Sequence, residues 1–392
     1  MTFHPLARSR VLQAMKRSFG AAAIVAAGGI ALGLETGLLS QASFAGPVRE
    51  AAMTDTRPAI IQVQAEAPAP LPRLPVEGTL PSLSGAIEWL NTPPLTAEAL
   101  RGKVVLVNFW TYSCINCLRT LPYLRAWAER YRDQGLVVIG VHTPEFAFER
   151  RTENVRRAAM DLGVGYPVAI DNGFAVWRAF SNRYWPAMYF VDAQGRIRHH
   201  QFGEGEYANS ERVIRSLLAE AGRGGTAAVT PLDQRGTQAP SNTAEVRSPE
   251  TYLGYGNATG FASPEGVLRD APQLYRAASL RPNQWSLSGR WTIGEEHADL
   301  VEAGGAISYR FQARDLHLVL GSADGRPLRF QVTIDGAPPG IHHGTDVDAD
   351  GMGTVNGQRL YQLIRQNGAI QPRSFEIRFL DPGAQAYAFT FG

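Results

Sequence analysis

Two cysteines stand three positions apart in the run Trp110-Thr-Tyr-Ser-Cys114-Ile-Asn-Cys117, and the chain has no others. Thiols at this spacing can cycle between a dithiol and an internal disulfide, carrying two electrons per cycle. With no further cysteine to form a structural bridge, the pair is either a reversible couple or two inert, buried small hydrophobes. Zinc is disfavoured, because Cys-x-x-Cys fills half of a tetrahedral shell and a second pair is lacking. A sulfur at the first turn of a helix faces unpaired N–H groups and the positive end of the helix dipole. Both favour the thiolate, which is the attacking species. Cys114 is therefore the expected nucleophile. Cys117, one turn later on the same face, is the expected resolving thiol, able to attack a mixed disulfide at Cys114 and release reduced substrate.

The elements that must hold this pair are legible on both sides of it. The apolar stretch Val104–Trp110 reads as a buried strand, and the segment from Leu118 to Tyr131 reads as a helix that Pro122 should kink. A strand running into Cys-x-x-Cys with a helix behind it is the way a thioredoxin-like fold presents a redox pair. A second apolar strand, Leu136–His142, leads into Thr143-Pro-Glu145. Farther on, Tyr184-Trp-Pro186 precedes the strand Ala187–Val191, which closes on the turn Asp192-Ala-Gln-Gly195. Residues 145–162 read as one helix and 209–221 as another.

The cysteine run, Gly140-Val-His-Thr-Pro-Glu-Phe146 and Tyr184-Trp-Pro186 together resemble the DipZ group, thioredoxin-like periplasmic proteins of the wider TlpA/ResA-like class. The resemblance implies a cis Pro186 opposite the cysteines, with the Trp185 backbone free to pair with an extended substrate segment as an added strand would. Trp110 is expected to pack beside Cys114 and shape the groove, with burial part of its role, and Tyr112 and Trp185 to form either an aromatic rim suited to an apolar polypeptide or local packing support. This chain departs from the class at two places. Asn108 stands where many thioredoxins carry a buried aspartate, and Thr120 stands where relatives carry a glutamate. Neither can take the proton of the resolving thiol at neutral pH. Glu145 is the nearest substitute, either facing the pair as a proton relay or standing as a surface acid near a helix start. His142, at a strand end, is expected to be structural rather than part of the site.

The rest of the chain fits two domains with tails. A net charge of +2 gives no argument for a nucleic-acid partner. Residues 1–45 read as a signal peptide or membrane anchor. Arg8, Arg10, Lys16 and Arg17 precede an apolar run at 19–34, and Ser43 and Ala45 suit a peptidase that cuts after Ala45. Residues 46–79 form an Ala/Pro-rich linker, 80–222 the redox domain, 223–248 a second linker, and 249–392 an all-β sandwich, jelly-roll-like, of short strands between Gly, Pro and Asp turns. The C-terminal stretch, from Pro249-Glu-Thr-Tyr252 to the closing Phe389-Thr-Phe-Gly392, also resembles the carbohydrate-binding-module-like sandwich of the DipZ group. In it, Asp346-Val-Asp-Ala-Asp350-Gly351 matches half of a calcium loop but lacks the closing acid, so a plain acidic turn is expected. Trp285 and Trp291 are expected in the core rather than stacked on sugar.

The resulting expectation is an exported thiol:disulfide oxidoreductase that reduces extracytoplasmic protein disulfides, as in cytochrome c maturation. It would need no cofactor beyond its own redox-active disulfide. Its partners would be protein disulfides, a membrane thiol electron donor of the CcdA/DsbD type, and a cell-envelope carbohydrate at the sandwich. The alternatives are a periplasmic dithiol oxidase or isomerase, a peroxidase, which usually works without a Cys-x-x-Cys partner, and a non-enzymatic envelope-binding protein.

Overall fold

Val104–Trp110 is buried at every residue, as a strand covered on both faces must be, and it forms the centre of the first sheet. The computed structural model describes residues 74–224, 232 and 234–392; the export segment and most of the first linker expected from the sequence lie outside the described residues. The first sheet contains β1 (Gly78–Thr79), β2 (Glu88–Leu90), β3 (Val104–Trp110), β4 (Leu136–His142), β5 (Val168–Ile170), β6 (Ala187–Val191) and β7 (Arg196–Phe202). Their spatial order is β1-β7-β6-β3-β4-β5-β2. Strands β3, β4 and β5 run parallel, while β6 lies antiparallel beside β3, with Asn108 between Gly140 and Met188. Helices α1 (Ile115–Arg130), α2 (Thr152–Asp161), α3 (Ala175–Ala179) and α4 (Tyr207–Glu220) cover the sheet. Alternation along β3 sends Leu106 and Trp110 to the face under α1, and Val105, Val107 and Phe109 to the face under α3. This is a thioredoxin-like α/β fold.

The second sheet system comprises β8 (Thr251–Tyr252), β9 (Pro272–Tyr275), β10 (Trp285–Ile293), β11 (Ala298–Leu300), β12 (Ala306–Phe311), β13 (Asp315–Ser322), β14 (Leu328–Ile334), β15 (Met352–Val355), β16 (Arg359–Arg365), β17 (Arg373–Phe379) and β18 (Ala384–Phe391). All of its ladders are antiparallel. One leaf is β15-β14-β17-β12, the other β11-β18-β13-β16, and β10 belongs to both. Its residues 285–288 pair with β12, and its later residues pair with β9 and β11. The change of leaf falls at Gly289, whose φ is +95° and where a Cβ would stand 2.8 Å from the Gly305 Cα. A glycine is what lets the strand turn there. Trp285, Trp291, Tyr309, Phe330, Phe375 and Phe389 fill the space between the leaves. Trp285 and Trp291 are wholly enclosed, so neither offers a face to a sugar.

Three details depart from the sequence reading or add to it. Residues 145–162 are not one helix: a 3-10 turn, Ala147–Arg150, is separated from α2 by Arg151 in extended conformation (φ −79°, ψ 112°). The Glu149 carboxylate takes the N–H groups of Glu145 and Phe146, which tightens this turn on itself. The second linker is bonded to both domains where it is described. Gln234 accepts from Tyr123 (3.1 Å), Gln238 from Arg125 (3.1 Å), and the Pro240 carbonyl from Arg314 (2.7 Å). Finally, the two sheet systems belong to one compact unit. Val319, Leu360, Tyr387 and Ala388 of the sandwich join the apolar cluster that contains Trp110, Cys117 and Leu121.

Candidate active site

Strand β3 delivers the chain to Cys114, which N-caps α1 in extended conformation (φ −86°, ψ 116°). Its Sγ accepts the Cys117 N–H at 3.3 Å, so the sulfur does serve one of the helix's unpaired donors. Both cysteines are free; Cys114 is half-buried and Cys117 buried. The exposure order is the one that a nucleophile and a resolving thiol require. The helix end does not win electrostatically, however. A hydrogen bond with the Cys117 thiol, burial, and the charges of Cys117 and Glu145 push the Cys114 thiol well above its usual range, against the pull of the Cys117 N–H. The expectation of a thiolate favoured by the helix start is corrected accordingly for the dithiol.

Of the two aromatic residues expected either at a rim or as packing support, Tyr112 is enclosed and Trp185 is half-buried. Trp110 is completely enclosed, with its indole nitrogen over Gly140, where a Cβ would stand 2.9 Å away. Tyr112 is also buried, stacked on His142 (5.7 Å between centroids) and set against Phe148 (6.0 Å). Neither lines a surface. Trp185 is half-buried, lies against Trp177 (4.3 Å), and donates its indole N–H to the Thr143 carbonyl at 3.2 Å. The Trp185–Pro186 peptide is cis. Trp177 is held in turn by Asp171, whose carboxylate accepts from the N–H groups of Val176 (3.0 Å) and Trp177 (2.8 Å).

Beneath the cysteine loop sits an acid that reasoning from sequence missed. Glu149 is fully buried. One of its oxygens accepts from the Thr111 hydroxyl, the Ser113 hydroxyl (2.6 Å) and the Ser113 N–H (3.3 Å). The other accepts from the N–H groups of Glu145 (2.6 Å) and Phe146 (3.0 Å). Burial raises its pKa from 4.5 to about 7, opposed by the Ser113 and Thr111 hydroxyls. Glu149 thus ties the loop that carries Cys114 to the loop that carries Glu145. The sequence carried no local signal for this acid: the alternation of Phe146 and Phe148 would place Glu149 outward with the exposed Ala147.

Glu145 itself lies close enough for its charge to act on Cys114, and its carboxylate accepts from the Tyr252 hydroxyl of the sandwich. His142 is enclosed; burial lowers its pKa to about 3, leaving it neutral at physiological pH. Asn108 is buried with both polar side-chain atoms unpartnered among the described residues, and Thr120 bonds the Asn116 carbonyl (2.9 Å) and the Tyr207 hydroxyl (3.2 Å). In the half calcium loop, Asp346 serves Arg359 (2.7 Å) and the Gln362 N–H (2.7 Å), while Asp348 accepts from the N–H groups of Asp350 and Met352. These bonds make it an acidic turn. No group of three or more metal-ligating side chains occurs among the described residues, and no helix among them is long and apolar enough to cross a membrane.

Residues 87–200 match the AhpC/TSA family and residues 248–392 the thioredoxin-like C-terminal domain. The chain is 37% identical over 326 residues to the protein DipZ of Mycobacterium tuberculosis, covering 80% of this chain and 43% of that protein. It therefore spans about two fifths of the length of that relative. It is 30% identical over 141 residues to the thiol-disulfide oxidoreductase YkuV of Bacillus subtilis, covering 36% of this chain and 95% of YkuV. A thioredoxin-like protein solved in solution in its oxidised form aligns at 33% identity and a TM-score of 0.34, over 36% of this chain and 96% of that one. With a thiol-disulfide oxidoreductase matched over nearly its whole length, and DipZ matched through both domains, the chain belongs to the thioredoxin-like thiol-disulfide oxidoreductases, in the DipZ group.

Proposed function

We propose that this enzyme reduces protein disulfides outside the cytoplasm through Cys114 and Cys117, in a pathway of the cytochrome c maturation type. The carrying observation is the half-buried Cys114 at the N-cap of α1 with the buried Cys117 one turn behind it. The Cys114 thiolate attacks one sulfur of a substrate disulfide, and the other sulfur leaves as a thiolate. Cys117, once deprotonated, then attacks Cys114 Sγ, expelling the second substrate thiolate and leaving an enzyme disulfide. Glu145, beside Cys114, is the group that takes up and returns the thiol proton. Two electrons and two protons pass to the substrate per cycle, and no bound cofactor is required.

A reducing direction is supported by the Cys114 environment: nothing there stabilises the thiolate strongly, and a stabilised thiolate is what makes a pair a strong oxidant. A membrane thiol donor of the CcdA/DsbD type would restore the dithiol. Trp185 and the peptide before Pro186 would receive the extended substrate segment. An envelope carbohydrate at the sandwich would have to be gripped without Trp285 and Trp291. The test is the equilibrium potential against glutathione, joined to Cys117→Ser capture of mixed disulfides from envelope extract. A potential near −270 mV, about that of thioredoxin, is expected; one near −120 mV, about that of a strong oxidant, overturns the reductive reading.

A further inference from the structure

We propose that the β-sandwich completes the redox site: Tyr252 is a positioning residue that fixes the Glu145 carboxylate beside Cys114, so the second domain governs how readily Cys114 becomes a nucleophile. The inference rests on the disulfide-exchange reading above. Tyr252 is the last residue of β8 and pairs with Ala388 of β18, which places its ring over the loop between β4 and α2. Its hydroxyl carries one proton and stands between two carboxylates, that of Glu145 and that of Glu250 at 3.1 Å. Burial and these two negative charges keep the phenol protonated, so it remains a donor.

The loop bearing Glu145 is gripped from two sides. From the redox domain, Glu149 holds the Glu145 and Phe146 N–H groups. From the sandwich, Tyr387 packs on Phe146 (5.2 Å) and Phe148 (4.9 Å), Glu296 accepts the Ala147 N–H (2.9 Å), and Tyr252 takes the Glu145 side chain. Tyr252 and Cys114 pack against the same apolar cluster. The groups acting on the Cys114 thiol are Cys117 on α1 and Glu145 on the loop, with Tyr252 and Glu250 behind Glu145, while Glu149 holds Ser113, next to Cys114 in the chain. Arg119, the next cation along α1, is turned away to Glu204 (3.0 Å). The near charge is thus a carboxylate, and it disfavours the thiolate. Without the Tyr252 hydroxyl, a half-buried carboxylate loses a donor and relaxes toward water, and Cys114 becomes more acidic.

The test is the pH dependence of Cys114 alkylation by iodoacetamide in the full chain carrying Cys117→Ser, alone and with Tyr252→Phe, Glu145→Gln, or both. Tyr252→Phe and Glu145→Gln should each lower the apparent Cys114 pKa by about one pH unit, and the pair together by no more than either alone. At pH 7 the tenfold gain in thiolate, offset by its lower nucleophilicity, should leave alkylation about threefold faster. An unchanged titration in Tyr252→Phe, or shifts that add in the double variant, overturns the proposal. Glu145→Gln leaves the interface tyrosine in place, so it reports on the carboxylate even if Tyr252→Phe loosens the domains. The readout needs no protein substrate. A failed potential measurement would therefore sink the reductive reading alone, and an unchanged titration in an active enzyme would sink this inference alone.

Discussion

Glu149→Gln separates the charge of the buried acid from its shape. A glutamine can keep its carbonyl on the Glu145 and Phe146 N–H groups, which cannot turn round, and aim its NH2 at the Thr111 and Ser113 hydroxyls, which can. The Ser113 N–H then faces a donor, at a cost of about 1–2 kcal/mol. The larger effect is on pH dependence. The carboxyl is fully buried, and its pKa rises from 4.5 to about 7. Because the folded-state value is the higher one, the protonated carboxyl favours folding below about pH 4.5, and this contribution disappears as pH rises through about 7. The full swing is about 3 kcal/mol, of which about 2.5 kcal/mol falls between pH 5 and pH 8. Urea unfolding of the reduced protein and of Glu149→Gln at those two pH values measures it. The wild type should lose stability relative to the variant by that amount on going to pH 8. A difference between the two proteins that stays constant to within about 0.5 kcal/mol would falsify the assignment of a carboxyl titrating near neutrality.

Two further substitutions probe the supports of the site. Asp171→Ala strands the Val176 and Trp177 N–H groups at the start of α3, at about 1–2 kcal/mol, and frees the Trp177 ring on which Trp185 rests. Thermal unfolding should show the loss, and disulfide-reductase assays should show KM rising more than kcat falls; an unaltered KM would remove Trp185 from substrate binding. Gly140→Val pushes side-chain atoms into the Trp110 indole and the Tyr166 ring, where a Cβ alone would stand 2.9 and 3.2 Å away. Overpacking of about 1–3 kcal/mol is expected in denaturant unfolding, and a neutral result would mean the Trp110 seat is looser than described.

The core of the redox domain was legible because its strands are unbroken apolar runs. Val104–Trp110, Leu136–His142 and Ala187–Val191 could be bounded to the residue, since polar or turn residues flank each one. The Cys-x-x-Cys pair stood out for the same local reason: its chemistry lies in a spacing. What could not be read was anything decided by a neighbour distant in sequence. Glu145 and Glu149 stand four apart, as in a helix with a charged outer face, and only the Thr111 and Ser113 hydroxyls, more than thirty residues away, turn Glu149 inward. Tyr112 reads equally as a rim residue or as packing support until Phe148, brought in from the next loop, lies against it. The anchoring of the second linker could not be read either, because composition reports the absence of a core and says nothing of the Gln234 and Gln238 amides that bind Tyr123 and Arg125.

These long-range contacts converge on one short loop, and that convergence carries a thermodynamic consequence. The Glu145 charge raises both the Cys114 thiol and the Glu149 carboxyl. Whatever moves Glu145 moves both others in the same direction. Interactions of this kind are reciprocal: the ionised Glu145 carboxylate and the Cys114 thiolate disfavour each other by the same free energy. A carboxylate held beside a thiol is placed to receive its proton. Under the reading proposed above, the contact that restrains Cys114 at rest also holds its proton acceptor, and Tyr252 ties both to the second domain.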